Sequence, residues 1–202
     1  MTERPKALTR RGFAGLLGAA CLIPGFGHAR PLAAIEGRAF GTRWRMVADD
    51  AGALDALGPR IAALFDEVDR QMSPWRPDSA LSRFNGAAAG RHAAGDELLH
   101  VTRAALDLAR QTGGVFDPTV GPLVARWGFG PIAGGAITDW RGLGVVEGAL
   151  GKTRADLTLD LCGIAKGRAL DRVIELARDA GLRNVLFDLG GELRALGAHP
   201  EG

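Results

Sequence analysis

Tyrosine is absent from this 202-residue chain, lysine is scarce and cysteine occurs twice. Three of the 25 basic residues are lysine (Lys6, Lys152 and Lys166), and the rest are arginine. Basic and acidic residues nearly balance, at 25 against 23. A nucleic-acid binder carries a basic excess, so charge argues against DNA or RNA as a partner. No apolar run reaches the roughly 18 residues that a transmembrane helix requires. Glycine is plentiful instead, with 30 residues, which points to many tight turns and close backbone approaches.

The first 29 residues read as an address. A basic stretch ends in Arg10-Arg11, an apolar run follows from Gly12 to Ile23, and Pro24-Gly25 breaks it before Gly27-His28-Ala29. That is the layout of an export signal. Thr9-Arg10-Arg11-Gly12-Phe13 resembles a twin-arginine signal, whose cargo crosses already folded. The expected location is the periplasm, with cleavage near Ala29. A lipoprotein anchored at Cys21 is the lesser alternative, because Gly18 stands where a large aliphatic residue is wanted. Membrane association is expected only through such a lipid or through a partner. Residues 1–29 carry Arg4, Lys6, Arg10 and Arg11 against Glu3. Their removal turns the net +2 into −1 and leaves Cys162 as the single cysteine, which excludes an internal disulfide.

Residues 30–202 mix strand and helix patterns without strict alternation, so the expected class is α+β. Ala33–Val47 reads as two strands joined at Phe40-Gly41-Thr42. Leu54, Leu57, Ile61, Leu64, Phe65, Val68 and Met72 follow helical spacing, with Pro59 expected to start or kink that helix. Residues 73–85 read as an ordered loop, and Asp96 as the cap of a helix running to Gln111. Leu157, Leu159 and Leu161 alternate with Thr158 and Asp160 as in a strand, and Gly163 then opens a helix closed by Gly181-Leu182. Asn184–Asp188 and Leu193–Leu196 read as strands joined at Gly190-Gly191.

Several motifs fail. Gly151-Lys152-Thr153 ends like a phosphate loop, but Val146 stands where its first glycine belongs. Gly128–Ala133 loosely fits a dinucleotide fingerprint, yet Pro131 removes an amide and no strand-to-helix context surrounds it. His92 and His100 show no metal-ligand spacing and read as surface residues. Asp160–Gly167 (DLCGIAKG) survives, running from a strand end into a helix start. The first turn of a helix offers unpaired amides and a positive dipole end to an anion. Lys166 can add a charge to that anion, and Asp160 can accept hydrogen bonds from a sugar or base. The plainer alternative is a solvent-facing lysine and a capping aspartate.

Four ordered segments shift that balance: Phe40–Trp44, Met72–Asn85, Gly113–Leu123 and Asp160–Gly167, followed by Gly190-Gly191-Glu192. Together they resemble the ApbE-type flavin transferases, the FAD:protein FMN transferases, over nearly all of residues 33–202. The resemblance implies an ApbE-like, T-fold-like mixed sheet with packed helices. It implies FAD as substrate, Mg²⁺, and transfer of FMN to a Ser or Thr hydroxyl of an acceptor protein as AMP leaves. By position it implies flavin contacts at Phe40, Trp75, Val115, Phe116 and Asp117, FAD contacts at Asp160 and Lys166, and a backbone carbonyl for Mg²⁺ at Gly163. No catalytic residue is assigned. The family continues beyond the equivalent of Gly202 with strands that carry further metal ligands, so residues 30–202 are expected to form the N-terminal portion of the domain. Two alternative activities stay open at this point: a flavin-binding fragment without transfer, and an FAD pyrophosphatase giving FMN and AMP.

Overall fold

A computed structural model describes residues 32–135 and 138–198. The export signal, Cys21 and His199 lie outside the described residues. Strands β1 (Ala33–Ala39) and β2 (Thr42–Ala48) form the expected hairpin, with Ala39 opposite Thr42. Its two turn residues both take left-handed backbone angles, Phe40 at φ +50° and Gly41 at φ +74°. Such a turn matches the right-handed twist of the strands. Glycine adopts it freely, whereas phenylalanine is held there at a cost of about 1–2 kcal/mol.

Helix α1 (Ala51–Met72) buries the stripe of seven apolar residues read from the sequence. It begins eight residues before Pro59, which corrects the reading of Pro59 as its start. Asp50 caps it by accepting a 3.0 Å bond from the Ala53 amide. That cap and the complete burial of Leu54 and Leu57 outweigh the one hydrogen bond that Pro59 removes. The segment read as loop contains a second correction, the two-turn helix α2 (Ala80–Gly86). Ser79 caps it through Oγ at 2.9 Å from the Ser82 amide, and Leu81 and Phe84 bury one face. Helix α3 (Asp96–Gln111) is capped by Gly95 without a side-chain bond. Asp96 and Glu97 instead sit in its first turn, where negative charge meets the positive end of the dipole.

Strand β3 (Gly90–Ala93), unmarked in the sequence, pairs with β5 (Ala149–Lys152), which pairs in turn with β4 (Leu143–Val146). Helix α4 (Gly121–Arg126) lies between α3 and β4 in the chain. Helix α5 (Ala165–Asp179) leads to strands β6 (Val185–Leu189) and β7 (Glu192–Leu196). Gly181 at φ +82° and Leu182 close α5 as expected, with bonds to the Arg178 and Ala177 carbonyls. The result is an α+β fold with two antiparallel sheets, ordered β1-β2-β6-β7 and β3-β5-β4. One core packs α1 and α5 on the four-stranded sheet, around Met46, Leu57, Phe65, Val173 and Phe187. The other joins α2, α3 and the three-stranded sheet, around Leu81, Leu98, Leu150 and Leu159.

Leu157–Leu161 is extended but belongs to neither sheet, which corrects its reading as a strand. The alternation is real, since Leu157, Leu159 and Leu161 are fully buried. The segment's backbone partners are side chains, the Pro118 carbonyl and adjoining turns, in which the Leu157 N–H donates to the Arg154 carbonyl and the Leu161 carbonyl accepts from the start of α5. The Asn85 amide bonds the Leu159 N–H at 2.7 Å and the Leu159 carbonyl at 2.9 Å. The buried Lys152 ammonium donates to the carbonyls of Asn85, Ala155 and Leu157 at 2.9–3.2 Å. Burial lowers the pKa of Lys152, and these three acceptors hold its charge. Lys152 is therefore a structural lysine, in keeping with rejection of the phosphate loop around it. His92 is half-buried, 5.7 Å from the Phe84 ring, a departure from its reading as a surface residue.

Candidate functional site

A cleft of about 1200 Å³ runs along the seam between the two cores. The β1–β2 turn, α1, the Ser73–Trp75 segment, Val115–Asp117 and the start of α5 contribute to its walls. All eight residues proposed from the sequence line it: Phe40, Trp75, Val115, Phe116, Asp117, Asp160, Gly163 and Lys166. They come from four separated stretches of chain, so no local pattern alone brings them together.

The aromatic side is built first. The strained turn presents Phe40, whose ring meets Phe65 edge-on at 5.3 Å. Trp75 and Val115 stand 67% and 92% exposed, unusual for apolar side chains at the mouth of a cleft. A flat ring laid between these walls would remove that surface from water and gain stacking energy. Phe116 is anchored by its own amide, which donates to Thr112 Oγ1 at 3.1 Å. Its ring leaves little room at Gly163, where an added Cβ would lie 3.3 Å from it.

The polar side centres on the first turn of α5. No side chain caps this helix; the Ile164 and Ala165 amides turn back onto the Leu161 carbonyl. Asp160 is fixed twice, its amide donating to the Pro118 carbonyl at 2.7 Å and its Oδ1 accepting from the Cys162 amide at 2.9 Å. Asp117 is fixed likewise, its Oδ1 accepting from the Thr119 amide and hydroxyl at 2.8 and 2.6 Å. Lys166 points its Nζ to Glu192 Oε1 at 2.5 Å. Cys162, exposed on the cleft wall, is no nucleophile. The residue is exposed as a whole, but burial of its sulfur and the neighbouring Asp160 carboxylate push its thiol up to about 12, so it stays protonated at neutral pH.

Sequence reasoning missed three charged residues that line the same cleft, Arg38, Asp66 and Asp69. Arg38 sits on the exposed face of β1, one residue before its end, beside the turn that carries Phe40, and the alternation of β1 reads it as solvated surface. Asp66 and Asp69 flank the buried Phe65 and Val68 at the edge of the apolar stripe of α1. Chemically the cleft offers aromatic faces, a helix start without a side-chain cap beside one lysine, and two pre-oriented aspartates. Among the described residues no group of three or more His, Cys, Asp or Glu could hold a metal ion.

The model of the ApbE family matches residues 40–202. The chain belongs to the ApbE family. It is 33% identical to the FAD:protein FMN transferase of Klebsiella pneumoniae (strain 342), over 94% of this chain and 62% of that protein. It is 37% identical to the FAD:protein FMN transferase of Vibrio cholerae serotype O1, over 72% of this chain and 48% of that protein. Among solved ApbE structures, the flavin transferase from Vibrio cholerae superposes with a TM-score of 0.77 at 32% identity, covering 85% of this chain and 61% of that one. The apo flavinyl transferase from Pseudomonas stutzeri gives 0.78 at 29% identity, covering 86% and 64%. The chain thus spans between about half and two thirds of the length of these four relatives. The ApbE-like fold expected from the motifs is the observed one.

Proposed function

We propose that this chain acts as an FAD:protein FMN transferase, moving FMN from FAD to a Ser or Thr hydroxyl of an acceptor protein. The observation that carries the reading is the convergence of all eight motif residues on one cleft large enough for a dinucleotide. Membership of the ApbE family supports it, as do relatives whose names state this activity. In this reading Phe40 and Trp75 bracket the isoalloxazine ring, and Phe116 packs at its side. Asp160 orients the sugar or base portion through hydrogen bonds. The start of α5 and Lys166 face the pyrophosphate, adding a dipole end and a positive charge where negative charge must be stabilised.

The transfer balances simply. The acceptor hydroxyl oxygen bonds to the FMN phosphorus, the bond from that phosphorus to the bridging oxygen breaks, AMP leaves with that oxygen, and the hydroxyl proton passes to solvent. The chain's contribution is positioning and charge, which is what phosphoryl transfer chiefly demands. Magnesium, implied by the resemblance through the Gly163 carbonyl, is a separate matter. Mg²⁺ asks for near-octahedral oxygen coordination, and one carbonyl without a cluster of acidic ligands does not make its site. The residues described here therefore do not fit the ion by themselves, and no step is routed through it. We further propose export to the periplasm on the strength of Arg10-Arg11 and the apolar run behind them.

The test incubates the purified chain with FAD, MgCl₂ and a Ser- or Thr-bearing acceptor peptide, followed by mass spectrometry. Addition of FMN to the peptide with equimolar AMP supports the transferase. AMP and FMN without peptide modification marks a pyrophosphatase, and FAD binding without either product marks a binding fragment. No FAD binding at all overturns the assignment of the cleft.

A further inference from the structure

We propose that Glu192 is a positioning residue for Lys166, holding its ammonium from behind so that it faces the anionic group of the ligand. The inference rests on the reading of the cleft as an FAD site. Lys166 Nζ lies 2.5 Å from Glu192 Oε1. Lys166 lines the 1200 Å³ cleft, whereas Glu192 does not. Glu192 lines a neighbouring cavity of about 540 Å³ on the other side of the α5 start, together with Gly163 and Gly167. The carboxylate thus approaches the ammonium from outside the cleft. An ammonium carries three N–H donors, so one bond backwards leaves two for the cleft. A carboxylate plugging the anion site would instead line the cleft itself.

The platform behind Glu192 is rigid. It is the first residue of β7, paired with Leu189 across the Gly190-Gly191 turn. That turn is tied at both ends, with Gly191 N–H donating to Asp188 Oδ1 at 2.8 Å and Gly190 N–H donating to the Arg43 carbonyl at 3.0 Å. Gly190 has φ +60°, and a Cβ there would lie 2.7 Å from the Thr42 side chain, so the turn admits no larger residue. Arg43 and Thr42 open β2, immediately after the turn that carries Phe40. One backbone frame therefore fixes both the aromatic wall and the carboxylate behind Lys166. A lysine side chain is costly to order, and a partner that orders it beforehand lowers the cost at the moment of binding.

The experiment uses the full chain and exploits its three lysines, Lys6, Lys152 and Lys166. A ¹³Cε-lysine NMR spectrum then contains three side-chain signals, and Lys166→Arg identifies the one of interest. The first expected result is a Lys166 signal with restricted motion that becomes rotationally averaged in Glu192→Gln. The second is an FAD dissociation constant raised about three- to fivefold in Glu192→Gln, the size of a half-exposed ion pair. The third is that Glu192→Gln changes nothing further in a Lys166→Met background, which a merely structural role would not produce. Unchanged or tighter FAD binding by Glu192→Gln overturns the proposal, as does an additive loss in the Lys166→Met background. Failure of the parent to bind FAD refutes the proposed function instead. The lysine spectrum then decides alone: an unaltered Lys166 signal in Glu192→Gln overturns the positioning role, and an averaged one supports it.

Discussion

Replacing Asn85 by alanine tests the most unusual piece of the scaffold. The Asn85 side chain stands in for a neighbouring strand, pairing both the N–H and the C=O of fully buried Leu159. Alanine removes both partners and leaves two main-chain groups unsatisfied in the second core. Each buried unsatisfied group costs about 1–3 kcal/mol, so Asn85→Ala is expected to lose about 2–5 kcal/mol. The Asn85 carbonyl, which binds Lys152, is main chain and remains, so the loss isolates the side chain. Asn85→Asp refines the test. A carboxylate keeps the bond to the Leu159 N–H but faces the Leu159 carbonyl with no donor. Its charged form is disfavoured in the folded state, so its folded pKa rises above the unfolded value. Stability of this variant is then lowest at neutral pH and recovers as pH falls and the protonated acid supplies an O–H donor. Urea unfolding followed by circular dichroism at pH 7 and pH 5 measures both effects. A loss below about 0.5 kcal/mol for Asn85→Ala, within the range of an ordinary surface change, refutes the strand-mimic reasoning.

Three further outcomes are expected. Gly163→Ala brings a Cβ to 3.3 Å from the Phe116 ring, so FAD titration should show weakened binding with only a small change in thermal midpoint; unaltered affinity argues against Phe116 as a ligand wall. Cys162, its thiol pushed up to about 12, should react with iodoacetamide at pH 8 about a thousandfold more slowly than an ordinary thiol when assayed in a Cys21→Ser chain, and a rate matching free cysteine contradicts this. Because the folded pKa is raised, the thiol's contribution to stability is full below about pH 9 and is lost as pH climbs towards 12. Phe40→Asn places a residue tolerant of φ +50° in the turn, gaining about 1 kcal/mol of relieved strain and giving up a similar amount in the ring contact with Phe65. Its melting temperature should stay near the parent's while FAD affinity falls, and affinity within twofold of the parent counts against Phe40 as a flavin contact.

Much of this arrangement was legible where the sequence carries a period or a turn signal. The stripe on α1, the β1–β2 hairpin, the β6–β7 pair and the glycine closure of α5 all follow from local chemistry that tertiary structure leaves in place. The errors lie where tertiary partners decide. Alternation at Leu157–Leu161 reports burial on one side, but nothing in that segment says that an asparagine 74 residues earlier would take the place of a strand. Strand β3 (Gly-Arg-His-Ala) has no apolar alternation, because it is mostly exposed and owes its form to pairing with β5. Prolines at 74 and 77 masked the Ser79 cap that starts α2. For the site, ordered motifs located the lining residues, whereas the charges Arg38, Asp66 and Asp69 escaped because each sits on an element whose pattern explains it as solvated surface.

Three kinds of local rule are broken along the walls of the cleft. Phe40 takes a backbone angle suited to glycine, Trp75 and Val115 expose large apolar side chains, and α5 begins at Ile164 without a side-chain cap. Each departure costs free energy in the isolated protein and has no compensation within its own element. All of them line or adjoin the same cleft. Elsewhere Asp50 and Ser79 cap their helices, while α3 starts at Gly95 without a side-chain cap, Glu147 takes a left-handed angle, and Trp127, Phe129, Leu186 and Leu193 also stand exposed. A flat ring covering the exposed walls and an anion meeting the uncapped helix would supply what each residue lacks. The defects are therefore mutually complementary to one kind of ligand, a planar heterocycle joined to a phosphate chain, and that complementarity is independent of the motif order that first suggested a flavin nucleotide.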